Sequence, residues 1–137
     1  MQSNAEIKVI KNTDKQFYKL MGPFLSQRFI VKELGYNVWD DMGKVWIVAT
    51  KNGIVKGFCA CKYKGSKVEF CSDYVLPEHR GHRVYDKLFQ VRLGLIENRY
   101  CFAKATDKSL NTYLRYGFKQ KRQTGRYTLV ERIINNE

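Results

Sequence analysis

The sequence predicts a single α/β domain organised around a mixed β-sheet, and three observations lead to this fold class. Apolar, strand-like segments follow one another through tight turns between Val45 and Val75, which predicts an antiparallel meander. A helical segment then separates this meander from another strand, and a crossover helix normally places the two strands that it joins in parallel. The chain ends in a further hairpin pattern. A length of 137 residues suits one domain, residues 1–137, that buries its own core.

The amino-terminal part predicts one short strand followed by two helices. Apolar and polar residues alternate over residues 7–10, which is typical of a half-buried strand. We expect Thr13 or Asp14 to cap a first helix, because their side-chain oxygens accept the free N–H groups of a first turn. A second helix is predicted from Pro23 to a glycine cap at Gly35.

The centre of the chain carries the clearest strand signals. Val45 to Thr50 and Ile54 to Tyr63 flank Asn52-Gly53, and an Asn-Gly pair between apolar runs is a strong hairpin signal. A third strand is predicted from Val68 to Val75. Pro77 ends it, because proline cannot donate to a sheet ladder.

The remaining elements are predicted from hydrophobic periodicity and from the residues that start and end helices. A helix is predicted from Val84 to Leu95, because apolar residues recur at i, i+4, i+7 and i+11, and a strand is predicted from Tyr100 to Ala105. A short helix follows, capped by Thr106 or Asp107 and ended by Gly117. The last element is a hairpin that pairs Phe118 to Arg122 with Tyr127 to Ile133.

The net charge of +12 and the pI near 9.6 are high for a chain of this size. A field of this sign attracts anionic partners, which include nucleic acid, the phosphates of a cofactor and an acidic protein surface. An excess of lysine also serves as a solubility device, so the charge alone does not select among these interpretations.

Several classes of protein are disfavoured by what the sequence lacks. No apolar run is long enough to cross a bilayer and the first 15 residues have no signal-type apolar core, so we expect a cytoplasmic protein without a membrane partner. The cysteines lie in strand-like runs rather than in C-x-x-C loops, and His79 and His82 have no neighbouring third ligand. We therefore expect reduced, buried thiols and no metal site; the cysteines are Cys59, Cys61, Cys71 and Cys101.

The segment from Tyr74 to Leu88 reads as a strand, a tight basic loop and a helix. That order lets backbone N–H groups and the positive end of the helix face a phosphate. Residues 75–81, Val-Leu-Pro-Glu-His-Arg-Gly, and residues 113–118, Tyr-Leu-Arg-Tyr-Gly-Phe, resemble motifs of the GCN5-related N-acetyltransferase (GNAT) superfamily. The resemblance covers roughly residues 44–132. It implies a single-domain GNAT-like fold with a sheet of about six to seven strands and helices on both faces.

The resemblance implies that acetyl-CoA is the cofactor. In this superfamily the last strand of the meander splays from the next strand, and the gap receives the pantetheine arm. Those strands are here Val68 to Val75 and Tyr100 to Ala105. Backbone groups of Tyr74, Val75 and Leu76 are then expected to pair with the pantetheine amides. The alternative is an ordinary strand end.

The pyrophosphate loop of the superfamily departs from its usual pattern in this chain. Arg80 holds the first motif position and Gly81 follows it, but Arg83 and Tyr85 stand at the two glycine positions. Glycine is used there because the phosphates approach the backbone closely. Arg83 is expected either to obstruct the phosphates or to swing outward and bind them through its guanidinium group. The ring of Tyr85 has to enter the core or fill the phosphate space. The complete set of expected cofactor contacts is Tyr74, Val75, Leu76, Arg80, Gly81, His82, Arg83, Val84 and Tyr85.

The resemblance also implies an activity, the transfer of an acetyl group to an amine. Tyr113 stands at the position of the frequent general-acid tyrosine, with a core aromatic as the alternative. Glu69 or Asp73 is the expected base acting through water. By the period of two, both lie on the same face of their strand. A salt-bridged or solvent-facing acid is the alternative for each.

A second class of function keeps the fold but loses or alters the use of CoA. In this interpretation the chain is a degenerate GNAT-fold protein that binds or modifies nucleic acid, as small DNA-base modifiers of phages do. Tyr116 and Tyr127 would then stack on bases beside a basic hairpin, for which a solvated face is the alternative. The basic residues are Lys119, Lys121, Arg122 and Arg126.

Overall fold

The structure of the chain is a computed structural model that describes residues 5–36, 38–39, 43–81, 83–97 and 99–133. Within these residues the strands are β1 (Glu6–Lys11), β2 (Lys44–Lys51), β3 (Ile54–Lys64), β4 (Lys67–Val75), β5 (Tyr100–Ala105), β6 (Lys119–Thr124) and β7 (Tyr127–Arg132). The helices are α1 (Phe17–Met21), α2 (Arg28–Leu34), α3 (Val84–Ile96) and α4 (Leu110–Arg115), and short 3-10 turns occur at Gly22–Phe24 and Pro77–His79.

The described strands form one seven-stranded sheet in the order β1-β2-β3-β4-β5-β7-β6. β1 to β4 pair antiparallel, β4 and β5 pair in parallel, and β7 lies antiparallel between β5 and β6. The parallel pair is joined by α3, as a crossover connection requires. The predicted mixed sheet is therefore confirmed.

The β2–β3 hairpin shows how local sequence fixes this register. Asn52 and Gly53 have φ angles of 56° and 77°. Positive φ at both central residues is what a type I′ turn needs, and this turn matches the twist of the flanking strands. The Asn-Gly signal thus sets the pairing of Lys51 with Ile54.

Helices cover both faces of the sheet, as predicted. On one face Phe17 of α1 packs against the fully buried Trp46, with ring centroids 5.7 Å apart. On the other face Phe70 of β4 packs against Phe89 of α3 at 5.7 Å and Tyr113 of α4 at 6.4 Å. Each such buried aromatic side chain contributes about 1.5–3 kcal/mol of transfer free energy.

The predicted second helix is wrong in its extent. A 3-10 turn occupies Gly22–Phe24, and α2 begins only at Arg28. Between them Ser26 has a φ of 58°, and its N–H donates to the carbonyl of Val38 at 3.1 Å. This tertiary hydrogen bond replaces the helical one, so the chain turns here instead of continuing the helix.

The predicted cap of the first helix is also wrong. α1 begins at Phe17, and its first turn has no side-chain cap among the described residues. The Asp14 carboxylate instead accepts the N–H of Lys11 at 2.8 Å. Asp14 therefore shapes the turn that leaves β1 instead of capping α1.

Gly35 ends α2 as predicted, and the structure shows why glycine is needed there. Its φ is 85°, and a Cβ would meet the Tyr127 hydroxyl and would lie 2.9 Å from Nη1 of Arg126. Gly53 has a similar φ of 77°, but a Cβ on it would meet nothing within 4 Å. The two glycines thus differ in their surroundings rather than in their backbone conformation.

We expect Gly35→Ala to lower the free energy of unfolding by about 1 kcal/mol or more beyond the effect of Gly53→Ala. Both variants strain the left-handed backbone, but only Gly35→Ala displaces Tyr127 from its hydrogen bond with the Leu34 carbonyl. Urea unfolding of the two variants measures the difference. Equal losses would contradict a packing role for Gly35.

Cys59, Cys61 and Cys101 are buried, Cys71 is partly buried, and all are free thiols. Of the helices in the described part of the chain, none has the length and apolar character that crossing a bilayer demands.

Candidate active site

The sheet opens where β4 and β5 separate. The two strands pair only from Lys67 and Tyr100 to Phe70 and Ala103, and the rest of β4 has no partner on that side within the described residues. A gap therefore opens between β4 and β5 beyond Phe70. This is the splay that the resemblance implied.

A β-bulge in β4 accompanies this separation. Cys71 pairs with Ala60 and Tyr74 pairs with Phe58, so Ser72 and Asp73 together face one residue of β3. Ser72 has a φ of 59°, and such a bulge bends the strand and breaks its side-chain alternation.

The bulge places Glu69 and Asp73 on opposite faces of the sheet. Cys71, on the face of Glu69, packs with the core beneath α1 and α2, whereas Asp73 bonds to side chains of α3 and α4. Glu69 forms an ion pair with Lys64 at 2.7 Å and does not line the gap. The prediction that the two carboxylates share a face is wrong, because the period of two holds only for an unbulged strand.

A cleft of about 430 Å³ occupies the gap. Its walls are α2, the end of β4, the loop to α3, the first turn of α3, and the segment that leads into α4. Among the predicted cofactor residues those that line it are Tyr74, Val75, Arg80, Gly81, Arg83, Val84 and Tyr85.

Of the predicted cofactor residues that the structure describes, Leu76 is placed differently. Leu76 lies outside the cleft lining, because its N–H donates to the Lys56 carbonyl at 3.0 Å and its side chain packs against the core beneath α1 and α2. His82 lies outside the described residues. His79 lines the cleft.

The amino-terminal turn of α3 points into this cleft. It has no side-chain cap among the described residues, so its first N–H groups are left for another acceptor. Arg83 precedes it with a φ of 62°, the left-handed conformation that a glycine adopts readily. Its side chain is exposed and makes no hydrogen bond or ion pair within the described part of the chain. Arg83 thus lines the cleft with an exposed side chain, and the expectation that it binds phosphate stays a prediction.

Tyr85 adopts the inward alternative. Its hydroxyl donates to Asp73, and its ring meets Phe89 edge-on at 5.8 Å. The ring forms part of the cleft floor rather than standing over the helix terminus. Arg83 and Tyr85 thus both line the cleft beside the first turn of α3.

A buried ionic cluster lies under the cleft floor. Arg92 of α3 is fully buried and donates to both carboxylate oxygens of Asp73, at 2.6 and 2.9 Å. The Tyr113 hydroxyl donates to the same carboxylate at 2.7 Å, beside that of Tyr85. The guanidinium group of Arg92 also lies over the Phe70 ring at 4.0 Å. We call Asp73, Arg92, Tyr85 and Tyr113 the floor cluster.

The environment of the floor cluster fixes its protonation. Burial and the neighbouring Asp73 carboxylate raise the pKa of Tyr113 and of Tyr85 well above the usual value. Burial, the largest single influence, lowers the pKa of Arg92, but the charges of Asp73, Cys59 and Tyr113 and the hydrogen bond to Asp73 together raise it. Both tyrosines therefore remain hydrogen-bond donors and Arg92 remains charged. Four donors already fill the Asp73 carboxylate, which argues against a role for it as the base.

Arg92 was not singled out from the sequence, although a signal was present. It lies four residues after Leu88 and eight after Val84, on the apolar stripe of α3. A charged residue on a core-facing stripe requires a buried partner of opposite charge. The sequence could not show that this partner is Asp73.

Glu33 of α2 is a second residue that sequence reasoning missed. Nη2 of Arg80 donates to both of its carboxylate oxygens at 2.7 and 2.9 Å, and Lys108 lies 3.4 Å from one of them. Nε of Arg80 donates to the Val75 carbonyl at 2.8 Å. The arginine expected on a phosphate is therefore held by a carboxylate at the edge of the cleft.

The basic hairpin of β6 and β7 has local partners. Lys119 and Arg122 are exposed on β6, whereas Lys121 pairs with Glu131 at 3.5 Å. Arg126 donates to the main-chain carbonyls of Lys32 and Glu33. The hairpin is thus hydrogen-bonded to the carboxyl-terminal end of α2.

The two tyrosines expected to stack on nucleic-acid bases already make contacts within the domain. Tyr116 stacks on Phe89 with ring centroids 4.7 Å apart, and the Tyr127 hydroxyl donates to Leu34 at 2.6 Å. Both side chains are partly exposed, and the expectation that they stack on bases stays a prediction.

Comparison with solved structures places the fold. The chain is similar to an acyl-CoA N-acyltransferase from Pseudomonas aeruginosa, with a TM-score of 0.76 and 12% identity over 94% of this chain and 99% of that one. It is also similar to Escherichia coli ElaA, with a TM-score of 0.74 and 16% identity over 93% and 99% of the two chains. A GNAT family acetyltransferase from Elizabethkingia anophelis with acetyl-CoA bound matches with a TM-score of 0.64 and 11% identity over 97% and 100%.

The chain matches no protein-family model and no curated protein sequence. The structural likeness nevertheless extends over nearly the whole chain. The fold is the GNAT fold, as the sequence resemblance predicted.

Proposed function

We propose that this chain is an N-acyltransferase that moves an acyl group, acetyl in the simplest case, from acyl-CoA to an amine. The observation that carries the proposal is the opening of β4 and β5 onto the same cleft as the uncapped first turn of α3. An extended arm with amides fits an unpaired strand, and phosphates fit a helix amino terminus. The GNAT fold supports this reading, although a fold alone does not decide chemistry.

The residues that line the cleft fit acyl-CoA, with an arginine at one position where the superfamily usually has a glycine. The main chain of Tyr74 and Val75 would face the pantetheine arm, and the first turn of α3 would face the pyrophosphate. Arg83 replaces the usual glycine but keeps its left-handed backbone and adds a guanidinium group that makes no hydrogen bond or ion pair with the residues described. Acyl-CoA, when bound, supplies an acyl group activated as a thioester.

Tyr113 is the proposed general acid. Burial and Asp73 raise its pKa, so the hydroxyl is protonated at neutral pH, and donation requires its hydrogen bond to Asp73 to be exchanged for one to the departing sulfur. Its bond to Asp73 is replaceable, because Arg92 and Tyr85 continue to satisfy that carboxylate. Glu69 is remote from the cleft, so the proton acceptor has to be sought elsewhere.

The proposal is tested by ligand-dependent stability and by thiol release. We expect acetyl-CoA to stabilise the folded chain, by about 2.7 kcal/mol at a hundredfold excess over its Kd. We also expect release of free thiol that depends on an added amine, measured across polyamines, lysine peptides and aminoglycosides. No thermal shift at millimolar acetyl-CoA, together with no thiol release, would contradict the proposal.

Two variants with the same change of charge test whether the phosphates of CoA bind at the start of α3. Arg83→Glu should weaken CoA binding about tenfold, because it removes a cation from the start of α3. Lys119→Glu makes the same change of charge on β6, away from the cleft, and should alter Kd less than about twofold. Equal effects would mean that only the net charge of the protein matters.

A further inference from the structure

A second surface of the sheet lies on the face opposite α3 and α4. The helices α1 and α2 cover this face only in part, with their core around Trp46 and Phe58. Beyond that core, on β5 and β7, Tyr100, Phe102 and Leu129 are half-buried, and none of the three belongs to a buried cluster of the described residues. Part of the sheet thus presents aromatic side chains to solvent.

The strand register shows which charged residues share this face, because residues directly opposite one another on neighbouring strands point to the same side. Phe102 lies opposite Glu69 of β4 and Glu131 of β7, and Tyr100 lies opposite Lys67. Cations outnumber these carboxylates within the described strands, so the face attracts anions. We call the surface formed by Tyr100, Phe102 and these cations the open face. Its cations are Lys62, Lys64, Lys67, Lys104, Lys119 and Arg122.

The two rings of the open face are held in a fixed arrangement, stacked with their centroids 6.1 Å apart and their planes inclined by 27°. The Tyr100 hydroxyl donates to the Glu131 carboxylate at 2.7 Å, which fixes the orientation of that ring. Nζ of Lys67 lies 5.9 Å from the Tyr100 centroid. Nζ of Lys64 lies at the same distance of 5.9 Å from the Phe102 centroid. Each ring therefore has beside it a cation that a phosphate group can attract.

Fixed rings among exposed cations match the chemistry of a single strand of nucleic acid. Its unstacked bases place their π faces on aromatic side chains, and its phosphates pair with the lysines around them. A duplex keeps its bases inside the helix, so it would use the cations and leave the rings idle. An acidic peptide would also use the cations alone. A second copy of this chain would bring the same positive charge to the face and be repelled.

We propose that the open face binds single-stranded nucleic acid, with bases stacked on Tyr100 and Phe102 and phosphates held by the surrounding cations. The proposal goes beyond acyl transfer, because none of the described residues of the open face lines the CoA cleft. It keeps Lys119 and Arg122 of the basic hairpin that the sequence indicated, but it takes its rings from β5. Binding of a strand and binding of CoA are therefore separate properties of the chain.

Phe102→Leu tests the rings, because leucine keeps an apolar side chain on the strand and removes the π face. We expect the Kd for an oligothymidylate of about 15 nucleotides to rise about tenfold. Phe29→Leu is the matched control, because Phe29 is 53% exposed on α2 and lies outside the open face. This control should change the Kd less than about twofold.

Lys67→Gln tests the phosphate contacts. For a single strand, the slope of log Kd against log salt concentration is about 0.7 for each phosphate that the protein neutralises, so this variant should lower the slope by about 0.7. Lys67 is exposed, so its replacement leaves the fold intact. Lys51→Gln removes the same charge from an exposed position beside the β2–β3 turn and should leave the slope unchanged.

The experiment is fluorescence anisotropy of the labelled oligothymidylate with wild type and these four variants at several salt concentrations. The titration of the wild type is repeated with the same strand annealed to oligodeoxyadenylate, and again in the presence of CoA. A weaker Kd for Phe102→Leu but not Phe29→Leu, with a lower slope for Lys67→Gln but not Lys51→Gln, supports the proposal.

Three results would overturn the proposal. An unchanged Kd for Phe102→Leu, or equal slopes for the two lysine variants, would mean that only the net charge of the protein acts. A duplex bound as tightly as the single strand would exclude the rings. Release of the strand by CoA would place it in the cleft. A wild type that releases no thiol from acetyl-CoA contradicts the proposed function instead, and the anisotropy titrations still test the open face.

Discussion

Arg92→Met lowers the free energy of unfolding by about 3–5 kcal/mol, which is the expected loss when one partner of a buried ion pair is removed. Methionine fills most of the volume but removes the guanidinium group from Asp73, from the Phe70 ring and from the Ala60 carbonyl, and the unpaired Asp73 carboxylate is the largest part of the loss. That carboxylate is only 10% exposed and would keep two phenol donors but no positive charge. Urea or thermal unfolding measures the effect.

Two controls separate the buried pair from arginine loss in general. Arg92→Met combined with Asp73→Asn removes the uncompensated charge and should recover a large part of the stability. Arg115→Met breaks the pair with Asp86, whose arginine is 59% exposed, and should cost less than about 1 kcal/mol. A loss for Arg92→Met no larger than for Arg115→Met would show that the floor cluster does not depend on its charge.

The strands and turns of this fold follow from local chemistry. Asn52-Gly53 specifies a turn with positive φ at both residues, and Pro77 and Gly117 mark ends of elements that the structure confirms. The helical periodicity of α3 gives its start at Val84 directly. These signals act over a few residues, so one sequence contains them completely.

The bulge and the break before α2 do not follow from local chemistry. Ser72 and Ser26 both adopt positive φ, although serine has no preference for it. Ser72 N–H bonds to the Tyr36 hydroxyl, 36 residues away, and Ser26 N–H bonds to the Val38 carbonyl. Tertiary hydrogen bonds therefore impose both conformations, and through the bulge they decide which carboxylate faces the cleft.

The same limit explains which site residues were found. Arg83, Tyr85 and Tyr113 stand at motif positions, so neighbouring residues in the sequence were enough to identify them as candidates. Glu33 meets Arg80 across 47 residues and Lys108 across 75. No periodicity within α2 indicates such partners, because they depend on how α2 lies against the open edge of β4.

Tyr113→Phe should reduce acyl transfer about a hundredfold while changing the Kd for CoA less than about twofold. Phenylalanine keeps the ring contacts with Phe89 and Phe118, at 5.0 Å each, and removes only the proton donor. Because burial and Asp73 raise the pKa of Tyr113 above its usual 10.0, the wild-type donor stays protonated through neutral and mildly alkaline pH. No alkaline loss of turnover from this group is therefore expected below that value.

Tyr85→Phe is the matched variant, because it removes the other phenol from the same carboxylate. Each variant loses the hydrogen bond to Asp73, which costs about 1 kcal/mol of stability, and Tyr113→Phe also loses a long contact of 3.5 Å from Arg92, so the two should unfold nearly alike. If Tyr113 donates to the leaving sulfur, turnover falls much further in Tyr113→Phe than in Tyr85→Phe. Equal losses would mean that both tyrosines act only by orienting Asp73 and Arg92. The ratio of the two rates, at equal stability, thus distinguishes a proton donor from a packing residue.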